Sequence, residues 1–195
     1  MAIYFQNLTL EVDPTVYEPQ EDSFLLAQHV NPRRKDSVLD MGTGSGIQAL
    51  ISAQKAFCVV AADVNPDAIK CARKNAAKNK IMNIEFRTTN LFQKIPEKFD
   101  LILFNAPYLP AEEYDKAGLA WSGGKEGTDV IEKFLNQTPA HLKRNGRIML
   151  VASNHGNIKR IRAAAKANKL TARITAKKKL FMEELLLFSL RHATI

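Results

Sequence analysis

The sequence predicts an α/β fold: a mainly parallel seven-stranded sheet, helices on both faces, and a C-terminal antiparallel hairpin. Three observations predict it. Strand-like and helix-like runs alternate after residue 36, the pattern of a parallel sheet with helical crossovers. Several of the strand-like runs are almost wholly apolar, as strands buried on both faces are. The last two runs, Leu170 to Lys177 and Glu184 to Arg191, are joined by a charged turn and read as an antiparallel pair.

Taken in order, residues 1–35 form an N-terminal extension, an edge hairpin or loop followed by a helix from about Asp22 to Val30. Ser37 to Asp40 is a buried strand, and Ile47 to Lys55 is the helix beyond a glycine-rich loop. Phe57 to Asp63 is a second buried strand. Asn65 can cap the next helix, and Pro66 suits its first turn because no N–H is needed there. That helix runs to about Asn79. Asn83 to Thr88 is a shorter strand, and Phe99 to Phe104 a fully buried one. Leu109 to Lys125 is irregular. Thr128 to Leu142 is helix-like, Asn145-Gly146 turns into the strand Arg147 to Ser153, and a basic helix follows from about Asn157 to Asn168. Parallel strands joined in this way take right-handed crossovers.

A chain of 195 residues is expected to form one domain, 1–195, large enough to bury a central sheet. Hydrophobic content of 46% and charged content of 25% are ordinary for a globular protein. No apolar run approaches the roughly 18–20 residues that span a bilayer. The N-terminus lacks the basic start and apolar core of a signal peptide. No membrane association and a cytoplasmic location are therefore expected. Cys58 and Cys71 make no metal-binding spacing and no disulfide framework, so no metal is expected. The formal charge is +8, clustered at Arg33 to Lys35, Lys70 to Lys80, Lys159 to Lys169 and Lys177 to Lys179. Solvated helix faces and a hairpin tip account for this as well as a polyanionic partner such as RNA does.

The loop Asp40-Met41-Gly42-Thr43-Gly44-Ser45-Gly46 follows a strand and opens a helix. Glycines permit tight turns and close ligand approach, and helix N-termini favour negative charge. The second strand ends in Asp63-Val64, and that carboxylate is placed to accept from ribose hydroxyls. A dinucleotide site wants G-x-G-x-x-G, but Ile47 occupies the last glycine position. The spacing suits a smaller nucleoside with a carboxylate, and S-adenosyl-L-methionine fits. Asp40 is placed to bond loop amides or the cofactor amino group. Asn90-Leu91 follows the third strand, where the Asn amide can contact adenine or simply cap a turn.

Asn105-Ala106-Pro107-Tyr108 closes the strand Phe99 to Phe104. A nitrogen conjugated to a π-system is a poor nucleophile. The Asn105 side chain and the backbone carbonyl of Ala106 can hold its two N–H groups and stabilise positive charge as it attacks a methyl group. Tyr108 can stack on the flat group. Pro107 keeps Ala106 out of the α region. The predicted chemistry is methyl transfer onto nitrogen, and a plain strand-to-turn transition is the structural alternative.

Asn105-Ala106-Pro107-Tyr108 resembles the Asn-Pro-Pro-Tyr motif of amino-methyltransferases, with Ala106 in place of the first Pro. Val16-Tyr17-Glu18-Pro19-Gln20-Glu21-Asp22-Ser23-Phe24-Leu25-Leu26 and Trp121-Ser122-Gly123-Gly124-Lys125-Glu126-Gly127 resemble segments of HemK/PrmC-like methyltransferases, especially the short archaeal and eukaryotic branch. The resemblance covers about residues 12–153. It implies a class I (Rossmann-like) methyltransferase fold. It also implies methylation of the glutamine in the Gly-Gly-Gln motif of class I translation release factors. It places Tyr17, Glu18, Asp22 and Ser23 at the cofactor's methionine end. Asp22 and Ser23 also serve as ordinary helix-start residues. The family usually carries Asp where Asn90 stands. The short branch pairs with a small zinc-binding activator protein along the sheet edge, here Asn83 to Thr88. Other readings stay open: lysine methylation, methylation of adenine N6 or guanine N2 in RNA or DNA, or a noncatalytic cofactor-fold binding protein.

Overall fold

The computed structural model describes residues 2–108 and 128–193. Nine strands and five helices follow one another among them. A hairpin of β1 (Ala2–Phe5) and β2 (Leu8–Glu11) leads to α1 (Glu21–His29). Then come β3 (Ser37–Met41), α2 (Ile47–Ala53), β4 (Cys58–Asp63), α3 (Pro66–Lys78), β5 (Ile84–Thr88) and β6 (Phe99–Asn105). The chain ends with α4 (Asp129–His141), β7 (Leu142–Ser153), α5 (Ile158–Ala167), β8 (Leu170–Lys179) and β9 (Glu184–His192). Seven strands form one sheet in the order β5-β4-β3-β6-β7-β9-β8. The first five are parallel, and β9 runs antiparallel to both its neighbours.

Strand periodicity divides the core. Successive side chains point to opposite faces. Leu39, Met41, Ile102 and Phe104 pack with Ile131, Phe134 and Leu135 of α4 and Ile161 and Ala165 of α5. Val38, Leu101 and Leu103 pack with Leu25 and Leu26 of α1 and Ala49 and Ala53 of α2. The sheet is covered on both sides, as a parallel sheet requires.

The observed elements differ from expectation in two places. Helix α1 starts at Glu21, with Gln20 as an N-cap that makes no side-chain bond. Asp22 and Ser23 therefore lie inside the first turn instead of capping it. Strand β7 starts at Leu142, before Asn145-Gly146. Buried Leu142 pairs with Phe99, the register slips, and pairing resumes at Arg147 opposite Leu101. A bulge replaces the expected turn. It hides from sequence reading because Lys143 to Asn145 are exposed and polar like a loop.

The N-terminal hairpin is tied down by two side-chain amides one turn apart, Asn75 on α3 and Asn79 at its C-cap. Asn79 Oδ1 accepts from Thr9 N (3.0 Å) while its Nδ2 donates to Thr9 O (2.8 Å). Asn75 does the same for Glu11, at 2.8 and 3.0 Å. Asn75 Nδ2 also donates to Ser45 O in the glycine loop, at 2.9 Å.

Candidate active site

In open α/β sheets, ligands bind outside the carboxyl ends of the strands, where the strand order reverses. Here β3 is flanked by β4 and β6, so that point lies between β3 and β6. Met41 sits opposite Phe104, which brings Gly42 beside Asn105. On the other flank, Met41 pairs with Ala62 and Asp63 pairs with Thr88. Register alone gathers the glycine loop, Asp63, Asn90 and Asn105 at one end of the sheet.

The loop's backbone takes positive φ at Gly42, Gly44 and Gly46. Gly46 is where α3 crosses: a Cβ there would meet Ala72 Cβ at 3.0 Å and its Cα at 3.1 Å. At Gly44 a Cβ would meet nothing within 4 Å among the described residues, so the loop presents open backbone to them there. Asp63 Oδ2 accepts from Gly44 N (2.9 Å), and Oδ1 accepts from Asn65 N (2.9 Å). The Val64 amide also bears on this carboxylate, and its roughly four lone-pair sites still leave it acceptor capacity. Burial pushes the Asp63 carboxyl above its usual range, against the pull of the amides it accepts from. Val64 beside it is exposed. Asn65 caps α3 as expected, accepting from Asp67 N.

Asp40 and Thr43 lie beneath the loop. Asp40 is 1% exposed, and its Oδ2 accepts from Thr43 Oγ1 (2.6 Å) and Ala49 N (3.1 Å). Burial pushes the Asp40 carboxyl up to about 7. These two residues brace the loop from inside. Asn90 is exposed just past Asp63, whose carbonyl accepts from Thr89 N (2.8 Å). Leu91 adopts a positive φ and packs on the core. Glu18 is half-buried.

A second cluster centres on Asp22. Its carboxylate is 5% exposed. Oδ1 accepts from Ser23 N (2.5 Å) and Ser23 Oγ (3.2 Å). Oδ2 accepts from Asn105 Nδ2 (3.1 Å) and Tyr108 Oη (3.3 Å). Tyr17 Oη reaches both oxygens, at 2.9 and 3.0 Å. Asn105 Nδ2 also donates to Ser23 Oγ (3.2 Å). Burial, then the Asp22 charge, raises the pKa of Tyr17 and of Tyr108 well beyond the usual phenol range, so both hydroxyls stay protonated donors. Asn105 Oδ1 is buried and has no hydrogen-bond partner among the described residues. Ala106 is buried, and Pro107 and Tyr108 are half-buried.

The structure thus brings Tyr17, Asp22, Ser23, Asn105 and Tyr108 into one network. Asp40 and Thr43 lie under the loop, and Asn90 is exposed just past β5. Trp121 to Gly127 lies outside the described residues. Two contributors escaped sequence reading. Gln48, just past the loop, is buried and donates Nε2 to Ser23 O at 2.8 Å. Asn75 holds Ser45. The only signal for either was an amide at an inward position of its helix.

The chain matches the methyltransferase small domain family over residues 9–181. It is 35% identical over 194 residues to a putative protein N5-glutamine methyltransferase of Methanocaldococcus jannaschii, covering 97% of this chain and 98% of that one. It is 33% identical over 160 residues to the release factor glutamine methyltransferase of Lactococcus lactis, covering 75% of this chain and 59% of that one. Among solved structures it is similar to the E. cuniculi Mtq2-Trm112 complex, described as responsible for methylating the eRF1 translation termination factor. That likeness has a TM-score of 0.75 at 23% identity and covers 92% of this chain and 99% of that one.

Proposed function

We propose, from the premise that this chain belongs to the methyltransferase small domain family and is an N-methyltransferase, that its acceptor is a protein glutamine. The favoured substrate is the glutamine of the Gly-Gly-Gln motif in a class I release factor. The single observation that carries this reading is the buried Asn105 Oδ1 at the end of β6, which has no partner among the described residues. A buried acceptor without a partner costs about 1–3 kcal/mol. A planar NH2 group brought to that oxygen removes the cost and is held in place by it. The names of the relatives support glutamine over a nucleobase.

The residues fit S-adenosylmethionine as methyl donor. Open backbone at Gly44 and the spare acceptor sites on Asp63 suit a nucleoside whose ribose hydroxyls donate. When bound, it supplies an electrophilic methyl carbon on a sulfonium. Tyr17, Glu18, Ser23, Asp40, Gly42, Thr43, Gly44, Gly46, Asp63, Val64, Asn90 and Leu91 form or brace the cofactor side in this reading, and Asp22 and Asn105 border it as braces without binding the cofactor. Asn105 Oδ1 and the Ala106 carbonyl accept from the acceptor's N–H groups, which raises electron density on that nitrogen. Pro107 stiffens the turn, and Tyr108 walls the acceptor pocket. Orientation of this kind contributes up to roughly 7–11 kcal/mol in favourable cases.

A small activator protein pairing along β5 belongs to the same reading. β5 is an edge strand with half-buried Ile84 and Phe86. Near its start, Met82 is 95% exposed and Phe57 73%. A cavity of about 470 Å³ opens there, lined by Met82, Ile84, Val60 and Phe99 among others. It lies at the starts of β3, β4 and β6, away from Asn105. A release-factor substrate supports the expected cytoplasmic location.

The test is incubation with S-adenosylmethionine, in separate vessels, of a release factor and of bulk RNA, followed by mass spectrometry. One methyl group on the motif glutamine is expected. Label confined to RNA, or to lysine, would overturn the reading.

A further inference from the structure

We infer that Asp22 is a positioning residue that sets which way the Asn105 amide faces, and that it makes no contact with the cofactor. The inference rests on the acceptor reading above. Its first support is capacity. A carboxylate offers about four lone-pair sites. Tyr17 Oη, Ser23 N, Ser23 Oγ, Asn105 Nδ2 and Tyr108 Oη already point at Asp22. With that many donors and 5% exposure, nothing is left for a ligand.

The second support is direction. An ionised carboxylate only accepts, so the Asn105 atom facing it must be the NH2. Both N–H groups are then used, one on Asp22 Oδ2 at 3.1 Å and one on Ser23 Oγ at 3.2 Å. Ser23 Oγ accepts there because its own proton goes to Asp22 Oδ1 at 3.2 Å. Flipping the amide would press its oxygen against the Asp22 carboxylate, and that oxygen could bond Ser23 Oγ only by taking the proton that Oγ gives Asp22. The flip would also turn the NH2 towards the substrate. A donor there would repel the incoming N–H groups. Asp22 therefore decides that Asn105 offers an oxygen, and Tyr17 and Tyr108 hold the carboxylate while it does so.

Asp22→Asn keeps the shape and removes the one-way constraint, since its own amide both donates and accepts. Ser23→Ala is the milder companion: it removes one of the two acceptors and leaves Asp22 in place. The first readout is nuclear magnetic resonance of the Asn105 side-chain NH2, assigned by its loss in Asn105→Ala. Its hydrogen exchange should quicken about tenfold in Asp22→Asn and less in Ser23→Ala. The second is kinetics: kcat should fall by up to about 100-fold, with KM and S-adenosylmethionine affinity within twofold of wild type. Unchanged Asn105 exchange in both variants would overturn the inference. So would a loss confined to cofactor affinity, which would make Asp22 a cofactor ligand. A wild-type protein that methylates no glutamine yet shows the exchange change would sink the acceptor reading and leave the positioning role standing.

Discussion

Asn105 is half-buried with a buried Oδ1, Asp40 is buried throughout, and the two differ in what they are for. Asn105 ends with an acceptor that no described residue uses; Asp40 spends its Oδ2 on Thr43 and Ala49. Asn105→Ala should lower kcat about 100-fold or more while cofactor affinity measured by calorimetry stays near wild type. Equal loss of both would assign Asn105 to the cofactor site or to the fold. For Asp40 the signature is a pH dependence. Its folded-state pKa of about 7 lies above the ordinary 3.8, so between those values the folded chain holds a proton that the unfolded chain has released. The stabilisation is complete below the lower value and is lost as pH rises through the higher one, with a slope of at most about 1.4 kcal/mol per pH unit. Asp40→Asn keeps an oxygen for Thr43 and Ala49 and cannot ionise. Urea denaturation at pH 5 and pH 8 should show the variant gaining on wild type at the higher pH. A constant difference would refute the shift.

The glycine loop and the two short segments around it make the same distinction among backbones. Gly46→Ala would drive a methyl into α3 and should destabilise by about 1–3 kcal/mol. Gly44→Ala has room, carries only a left-handed-backbone penalty of about 1 kcal/mol, and should lose cofactor affinity out of proportion to stability. Thermal denaturation paired with calorimetry separates the two; identical behaviour would mean the loop has no ligand-facing side. Much of this was visible in the chain. Strand periodicity set the alternation, and Asn65-Pro66 marked the start of α3. What escaped was contact between distant segments. Asp22 looked like a helix-start residue because local spacing cannot show that Asn105, at a strand end 83 positions on, accepts it as a neighbour. The bulge after Leu142 was hidden because its three extra residues, Lys143 to Asn145, are exposed and polar like a loop.

The sheet has two unlike edges. β8 carries Lys177 to Lys179, of which Lys177 pairs with Glu184 and Lys178 with Glu21. A lysine-rich edge discourages another chain from adding there, which explains one basic cluster without a nucleic acid. β5 has no such run: its Arg87 is held back by Glu85 and Glu97. A partner that adds a strand should slow amide exchange at Ile84 to Thr88 and leave β8 unchanged. Protection only at β8 or at the strand ends around Asn105 would argue against docking on β5. The hairpin at the N-terminus makes a further point about remote control. Asn75 grips Glu11 with one hand and Ser45 with the other. A protease that trims the chain through Glu11 would leave every nucleoside-facing atom present, yet slacken the latch behind the glycine turn. Affinity for an adenosine-like ligand would then report on the integrity of a strand that never meets it, and a bulky tag spliced into β2 would behave as an inhibitor without entering the cleft.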